Sequence, residues 1–265
     1  MLQTVSVDAV AATLPAALAA AAVSRLLIGD GRLFRVPDVP VTGAREYLLY
    51  AVTGVVAGLA GIVFSTTLCH TVRGCDTVWR DRPAWARPIL GGVLLGVLLL
   101  ALPPLYGVGV PVVVAGVDGR YTLAVLLVLL AGKILATSLT FGIGGYGGVF
   151  MPTLFVGAMS GSALGTVVHQ VFPGLAGAPI HCGLIGMSAA FIAATRAPVT
   201  GIVMLLELTG DYDMAVPLMV AAVPALLVGG LRSGESPYVG TLLRQVPGVE
   251  RPRAGASVAV SSEPF

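Results

Sequence analysis

Eight apolar runs, at residues 9–28, 46–72, 87–105, 121–141, 149–171, 181–196, 199–210 and 213–231, take up most of this 265-residue chain. Several approach the ~20 residues an α-helix needs to cross a bilayer. Hydrophobic residues make up 56% of the chain and charged residues 11%, against about 25% charged in soluble domains. So few polar side chains cannot coat a water-soluble globule. The expectation is an all-α integral membrane protein, multi-pass in the cell membrane with the lipid bilayer as its solvent. A β-barrel is excluded, because its strands would alternate polar and apolar residues.

The runs are uneven. Those at 46–72, 87–105 and 121–141 are long enough to span alone, whereas 181–196 and 199–210 are divided by Arg196-Ala197-Pro198. Proline lacks an amide donor and biases the residue before it away from helix, so a break is expected there. The second piece, at ~1.5 Å per residue, reaches only roughly 18 Å into a ~30 Å core. Broken helices survive at membrane depth only when packed in protein or lining a wet cavity, and transporters place ion sites at such ends.

The formal charge of +2 is too small to suggest nucleic acid. Arg73, Arg80, Arg82 and Arg87 are read as one inter-helix loop, and Arg232, Arg244, Arg251 and Arg253 cluster near the C-terminus. Both groups are expected on the cytoplasmic side. Cys69, Cys75 and Cys182 share no metal-ligand spacing and are read as structural or incidental. The N-terminus lacks the basic leader and cleavage site of a signal peptide, and VDAVAATLPAALAAAAV reads as a mildly hydrophobic helix. Glycines recur as Gly54, Gly58 and Gly61, as Gly91, Gly92 and Gly96, and as Gly157, Gly161 and Gly165. All three sets predict close helix packing. The expected domains are a membrane domain over 1–246 and a disordered cytoplasmic tail over 247–265, the tail being rich in Pro, Ser and Arg without an apolar period.

GIGGYGGVFMP (142–152) places five glycines in eleven positions between two apolar runs. The first helix should end after Phe141 in glycines that permit positive φ and close backbone approach. A second helix should begin near Val149–Pro152, with proline in the first turn, where a missing N–H costs nothing. The free N–H groups of Gly148, Val149 and Phe150, with the positive end of the helix dipole behind them, would then form an anion site without a formal charge. Such a site dehydrates a monovalent anion without holding it too tightly to release. On spacing alone the stretch fits a glycine hinge between packed helices somewhat better than an anion site.

Residues 132–165 (GKILATSLTFGIGGYGGVFMPTLFVGAMSGSALG) resemble the CLC family of chloride channels and chloride/proton antiporters, with Gly148-Val149-Phe150-Met151-Pro152 on its G-x-F-x-P motif. The block 183–225 also resembles the family, in its G-M-x-A pattern, its R-A-P-x-T-G break and the acidic residue of L-E-x-T, here Glu207. GESPYVGTLLRQ (234–245) is similar to the opening of the family's final helix, whose tyrosine corresponds to Tyr238. The blocks follow the family's order. The resemblance implies a CLC-type bundle of tilted, broken and re-entrant helices, comprising the second inverted repeat with one flanking helix on each side (9–28 and 238–246). It implies chloride, or a similar monovalent anion, as cargo, held by the Val149 and Phe150 amides and the Tyr238 hydroxyl. It also implies a homodimer with one pore per subunit. No cofactor is expected.

The family's first half should carry G-S-G-I-P, with an anion-binding serine, and G-R/K-E-G-P, with a gating glutamate, and neither is present. YGVGVP (106–111) is superficially similar to the serine motif but has Val108 where the hydroxyl would be, so no anion contact is assigned to it. The expected function is therefore CLC-type chloride transport by a C-terminal half. Its alternative is a non-transporting membrane subunit or remnant that needs a separate first-half polypeptide as partner. Channel against antiporter, and chloride against nitrate or fluoride, stay open.

Lys133 interrupts an apolar run at a cost of roughly 3 kcal/mol at a helix centre, so it should face a cavity, snorkel or pair. Arg196 and Glu207 are read as a structural pair across the helix break. His70, His169 and His181 are read as interfacial rings at segment ends. Ser160, Ser162 and Ser188, with His181 as a base, raise an intramembrane protease. The sequence offers neither a juxtaposed base nor an oxyanion hole, and the chain is not read as an enzyme.

Overall fold

The structure is a computed structural model that describes residues 7–29, 34, 44–80, 83, 85–145, 147–172 and 178–231. The expected helix over 238–246, Tyr238 and the tail lie outside the described residues. Among the described residues the chain forms α1 (Val7–Ile28), α2 (Ala44–Val78), α3 (Ala86–Ala101), α4 (Val110–Val117), α5 (Leu123–Gly142), α6 (Phe150–Val171), α7 (Ala178–Thr195), α8 (Pro198–Thr209) and α9 (Ala215–Gly230). Single 3-10 turns at Pro103–Leu105 and Tyr212–Met214 precede α4 and α9.

Arg45–Val78, Leu123–Gly142, Phe150–Val171 and Tyr212–Gly230 are long and apolar enough to cross a membrane. At 35 residues α2 is roughly 50 Å long, so it tilts or projects from a ~30 Å core. It is also the spine of the fold, touching α5, α6, α7 and α9. Of its large buried side chains, Tyr50 joins the cluster of Phe155, Met159 and Leu184, while Phe64 and Leu68 pack with Ile134, Phe141 and Val156. Outward-facing Leu90, Leu94 and Leu100 of α3, and Val216, Met219 and Val223 of α9, are exposed. Water would punish such a surface, and acyl chains match it.

Two of the three glycine sets act as the sequence predicts. A β-carbon on Gly157 would run into the Gly186 carbonyl, and one on Gly161 into the Cys182 carbonyl, so α6 and α7 meet backbone to backbone. Gly54 and Gly61 of α2 likewise abut the carbonyls of Ala221 and Ala190. The third set is corrected. Gly91 is crowded by Ile143, but Gly92 and Gly96 have nothing within 4 Å of an added β-carbon, because they lie on the turn of α3 away from α5.

The α7–α8 break falls where expected. Thr195 ends α7, Arg196 takes φ 60°, and Pro198 opens α8. Glu207 is exposed on α8. The reading of Arg73, Arg80, Arg82 and Arg87 as one loop is corrected. α2 continues through Val78, with the Thr77 hydroxyl returning to the Gly74 carbonyl at 2.8 Å, so Arg73 is helical and Arg87 lies in the first turn of α3. His181 is also corrected. It is buried within α7, hydrogen-bonded through Nδ1 to the Tyr50 hydroxyl at 3.3 Å, because α7 begins a turn earlier than the apolar run suggested.

Candidate anion site

The first half of the site is the C-terminus of α5. Gly144 has φ 90°, which lets the Gly145 N–H reach the Thr140 carbonyl (2.9 Å) and the Gly144 N–H reach that of Phe141 (3.1 Å). This is a Schellman ending, for which a left-handed glycine is the usual requirement. The Ile143 N–H takes the Leu139 carbonyl at 2.9 Å. The remaining carbonyl, Gly142, accepts from Arg87 Nε at 2.8 Å, while Arg87 Nη2 is held by Asp76 at 2.9 Å. Every carbonyl of the last turn therefore has a donor. Gly145 also approaches its own helix closely, an added β-carbon lying 2.7 Å from the Thr140 carbonyl.

Gly147 and Gly148 differ from these two. Neither has positive φ, and nothing lies within 4 Å of a β-carbon built on Gly148. Neither torsion nor crowding demands glycine at that position. Both residues line a cavity of about 200 Å³, together with Leu105, Gly107, Lys133, Thr137 and Pro152. A single water needs roughly 10–15 Å³, so a partly hydrated monovalent ion fits.

α6 begins at Phe150 with Val149 as its N-cap, and no side chain caps it. The Gly148, Val149 and Phe150 amides donate to no other described residue. Pro152 at the third position sacrifices no helical bond. The helix start is fixed by its side chains instead. Val149 is 1% exposed and packs with Phe64, Leu68, Ile134 and Phe141. Phe150 meets Phe191 of α7 edge to face, with centroids 5.5 Å apart. The Thr153 hydroxyl closes the first turn on the Val149 carbonyl at 2.7 Å. The arrangement is a rigid helix start with unused donors beside a cavity. Of the predicted site residues, Gly148, Val149 and Phe150 are contiguous at this start, and Tyr238 lies outside the described residues.

Lys133 of α5 is 4% exposed and lines the same cavity. Its Nζ donates to the carbonyls of Gly107 (2.8 Å) and Leu105 (3.2 Å) and lies 5.0 Å from the centre of the Phe155 ring. The segment 106–111 has a role here that its sequence does not announce. Gly107 (φ 60°) and Gly109 (φ 79°) turn the chain from the 3-10 turn into α4 and leave two carbonyls facing the ammonium. The available signal was a lone lysine in an apolar run, preceded by a G-x-G turn. Ser160, by contrast, bonds its own helix at Gly157 (3.1 Å), and His181 bonds Tyr50, which gives the protease reading no support.

Residues 1–230 match the family described as voltage gated chloride channel. The chain belongs to this family, the CLC proteins, and is a membrane protein. Among curated relatives it is 31% identical over 236 residues to the H(+)/Cl(-) exchange transporter ClcA of Vibrio campbellii, covering 88% of this chain and 50% of the relative. It is 32% identical over 231 residues to a putative chloride channel protein ClcB-like of Ralstonia nicotianae, covering 87% and 53% respectively. The fold matches the crystal structure of a slow cyanobacterial Cl-/H+ antiporter with a TM-score of 0.75 at 25% identity, over 85% of this chain and 53% of that one. It also matches a CLC-type fluoride/proton antiporter with a TM-score of 0.68 at 22% identity, over 86% of this chain and 55% of that one. The chain thus spans about half the length of the curated relatives it matches.

Proposed function

We propose that this chain supplies the anion-handling half of a CLC-type transporter that moves chloride across the cell membrane. The observation that carries the reading is the uncapped start of α6, where Gly148 and Pro152 line a cavity, in a chain of this family. Unused amide donors at a helix start attract an anion through partial charges and the helix dipole. Their modest field lets the ion leave again. In this reading the Tyr238 hydroxyl completes the coordination, chloride is cargo, and no cofactor takes part. The protein works as a multi-pass homodimer with a pore in each subunit. The serine and gating-glutamate motifs of the family's other half come from a further segment, in the same or a second polypeptide. The names of the relatives, an exchange transporter and a putative chloride channel, support transport over a non-transporting remnant.

The test is chloride efflux from proteoliposomes, with and without a first-half polypeptide, paired with diffraction from crystals grown in bromide. Expected are a flux that Phe150→Pro and Tyr238→Phe reduce, and an anomalous peak beside Val149, Phe150 and Tyr238. Pro at the first helical position removes one N–H without breaking a helical hydrogen bond, and Phe150→Ala, which keeps the N–H, controls for the lost contact with Phe191. A flux indifferent to both substitutions, with no peak, overturns the reading.

A further inference from the structure

Lys133 is the only lysine in the sequence, the other fourteen basic residues all being arginine. It is also buried at 4% exposure inside a helix long and apolar enough to span the membrane. A buried ammonium needs compensation, which proteins ordinarily provide with a carboxylate. No carboxylate lies within ion-pair distance of Nζ among the described residues. An ammonium has three donors, and the Leu105 and Gly107 carbonyls take two of them. Among the described residues the third has no oxygen acceptor, only the Phe155 ring at 5.0 Å. The group lines the cavity that Gly147, Gly148 and Pro152 also line. One small space therefore holds a uniquely placed cation with a spare proton on one wall and the positive end of α6 on another. Two positive features facing one cavity repel each other unless something negative sits between them.

We propose that Lys133 is an anion-binding residue whose counter-ion is the transported halide, with its third N–H and charge facing the start of α6 at Gly148 across the cavity. The Leu105 and Gly107 carbonyls orient the ammonium and temper its charge, so the ion is attracted but not trapped. Lysine suits this role as a compact point charge, whereas a guanidinium would spread its donors in a plane. The inference rests on the anion-site reading above and adds a residue to it.

A single lysine gives a single signal. Full-length chain carrying 15Nζ-lysine is titrated in detergent with sodium chloride, with sodium gluconate as the control, and halide binding is measured in parallel by calorimetry. The expected result is an ammonium resonance that shifts with chloride, on the same curve as the calorimetric binding, and not with gluconate. Lys133→Met should weaken halide binding by about tenfold or more, and Lys133→Arg should weaken it less. Lys133→Cys should bind weakly until aminoethyl methanethiosulfonate restores a positive charge, while the methyl reagent should give no rescue. Chloride binding with an unmoved Nζ resonance, or a resonance of neutral amine throughout, overturns the role of Lys133 and leaves the amide site standing. Loss in every variant with no rescue by the charged reagent also overturns it, since Lys133 then only braces the 105–107 turn. Absence of any halide binding by the unaltered chain removes the anion-site reading itself.

Discussion

Arg87, in the first turn of α3, donates to the carbonyl of Gly142, the final residue of α5, across 55 positions of sequence. Asp76, near the end of α2, holds the same guanidinium. Three helix ends are thereby tied together immediately before the glycine turn that leads into α6. Arg87→Ala should free the Gly142 carbonyl and cost about 1–3 kcal/mol, toward the lower end because Asp76 is partly exposed. Thermal unfolding in detergent reads that cost. Hydrogen exchange should quicken at Gly144 and Gly145, whose amides close the Schellman turn.

Substitution at Gly148 separates folding from ion binding. Nothing lies within 4 Å of an added β-carbon, and φ is not positive. Gly148→Val should leave the unfolding temperature nearly unchanged, within about 0.5 kcal/mol, while its side chain occupies space beside the α6 amides. Halide binding by calorimetry should fall severalfold. Unchanged affinity in a folded Gly148→Val protein counts against the cavity as the ion's location.

The recurring glycines of the helices divide into positions that are needed and positions that are not. Gly161→Val forces a side chain into the Cys182 carbonyl and should destabilise by about 1–3 kcal/mol or more. Gly92→Ala meets open space on α3 and should be neutral or gain up to ~1 kcal/mol from helix propensity. Chemical denaturation of the two variants side by side distinguishes them.

Tyr50 and His181 form a buried polar pair 131 residues apart in sequence, at 2% and 4% exposure. Tyr50→Phe leaves Nδ1 unpaired and should cost about 1–3 kcal/mol. The loss should shrink in a background where His181 is already phenylalanine, giving a coupling of at least about 0.5 kcal/mol in a double-mutant cycle. Full additivity of the two substitutions disproves the contact.

Much of the fold could be read along the chain because its signals are local. Proline fixes a helix start, as at Pro198 and Pro152, and glycine in the left-handed region fixes an end, as at Gly144. Contacts across the fold left no such local trace. The short α4 is not legible, because eight residues carry too little periodicity to separate helix from loop. Arg87 reads as a loop residue because nothing near it in sequence announces Gly142. His181 reads as interfacial because its partner, Tyr50, lies on a different helix. The carbonyls that receive Lys133, at Leu105 in the 3-10 turn and at Gly107, are backbone groups that no side chain in the sequence announces.

Where Gly157 abuts Gly186 and Gly161 abuts Cys182, no side chain stands between α6 and α7 to serve as a bearing. A seam of backbone on backbone does not slip by degrees, since dense packing resists small shear. The two helices behave as one beam, with the free amides at one end of α6 and the left-handed joint at Arg196 terminating α7. Phe150 of α6 lies beside Phe191 of α7, so the free helix start and the joint to α8 share one end of that beam and are held rigidly relative to each other.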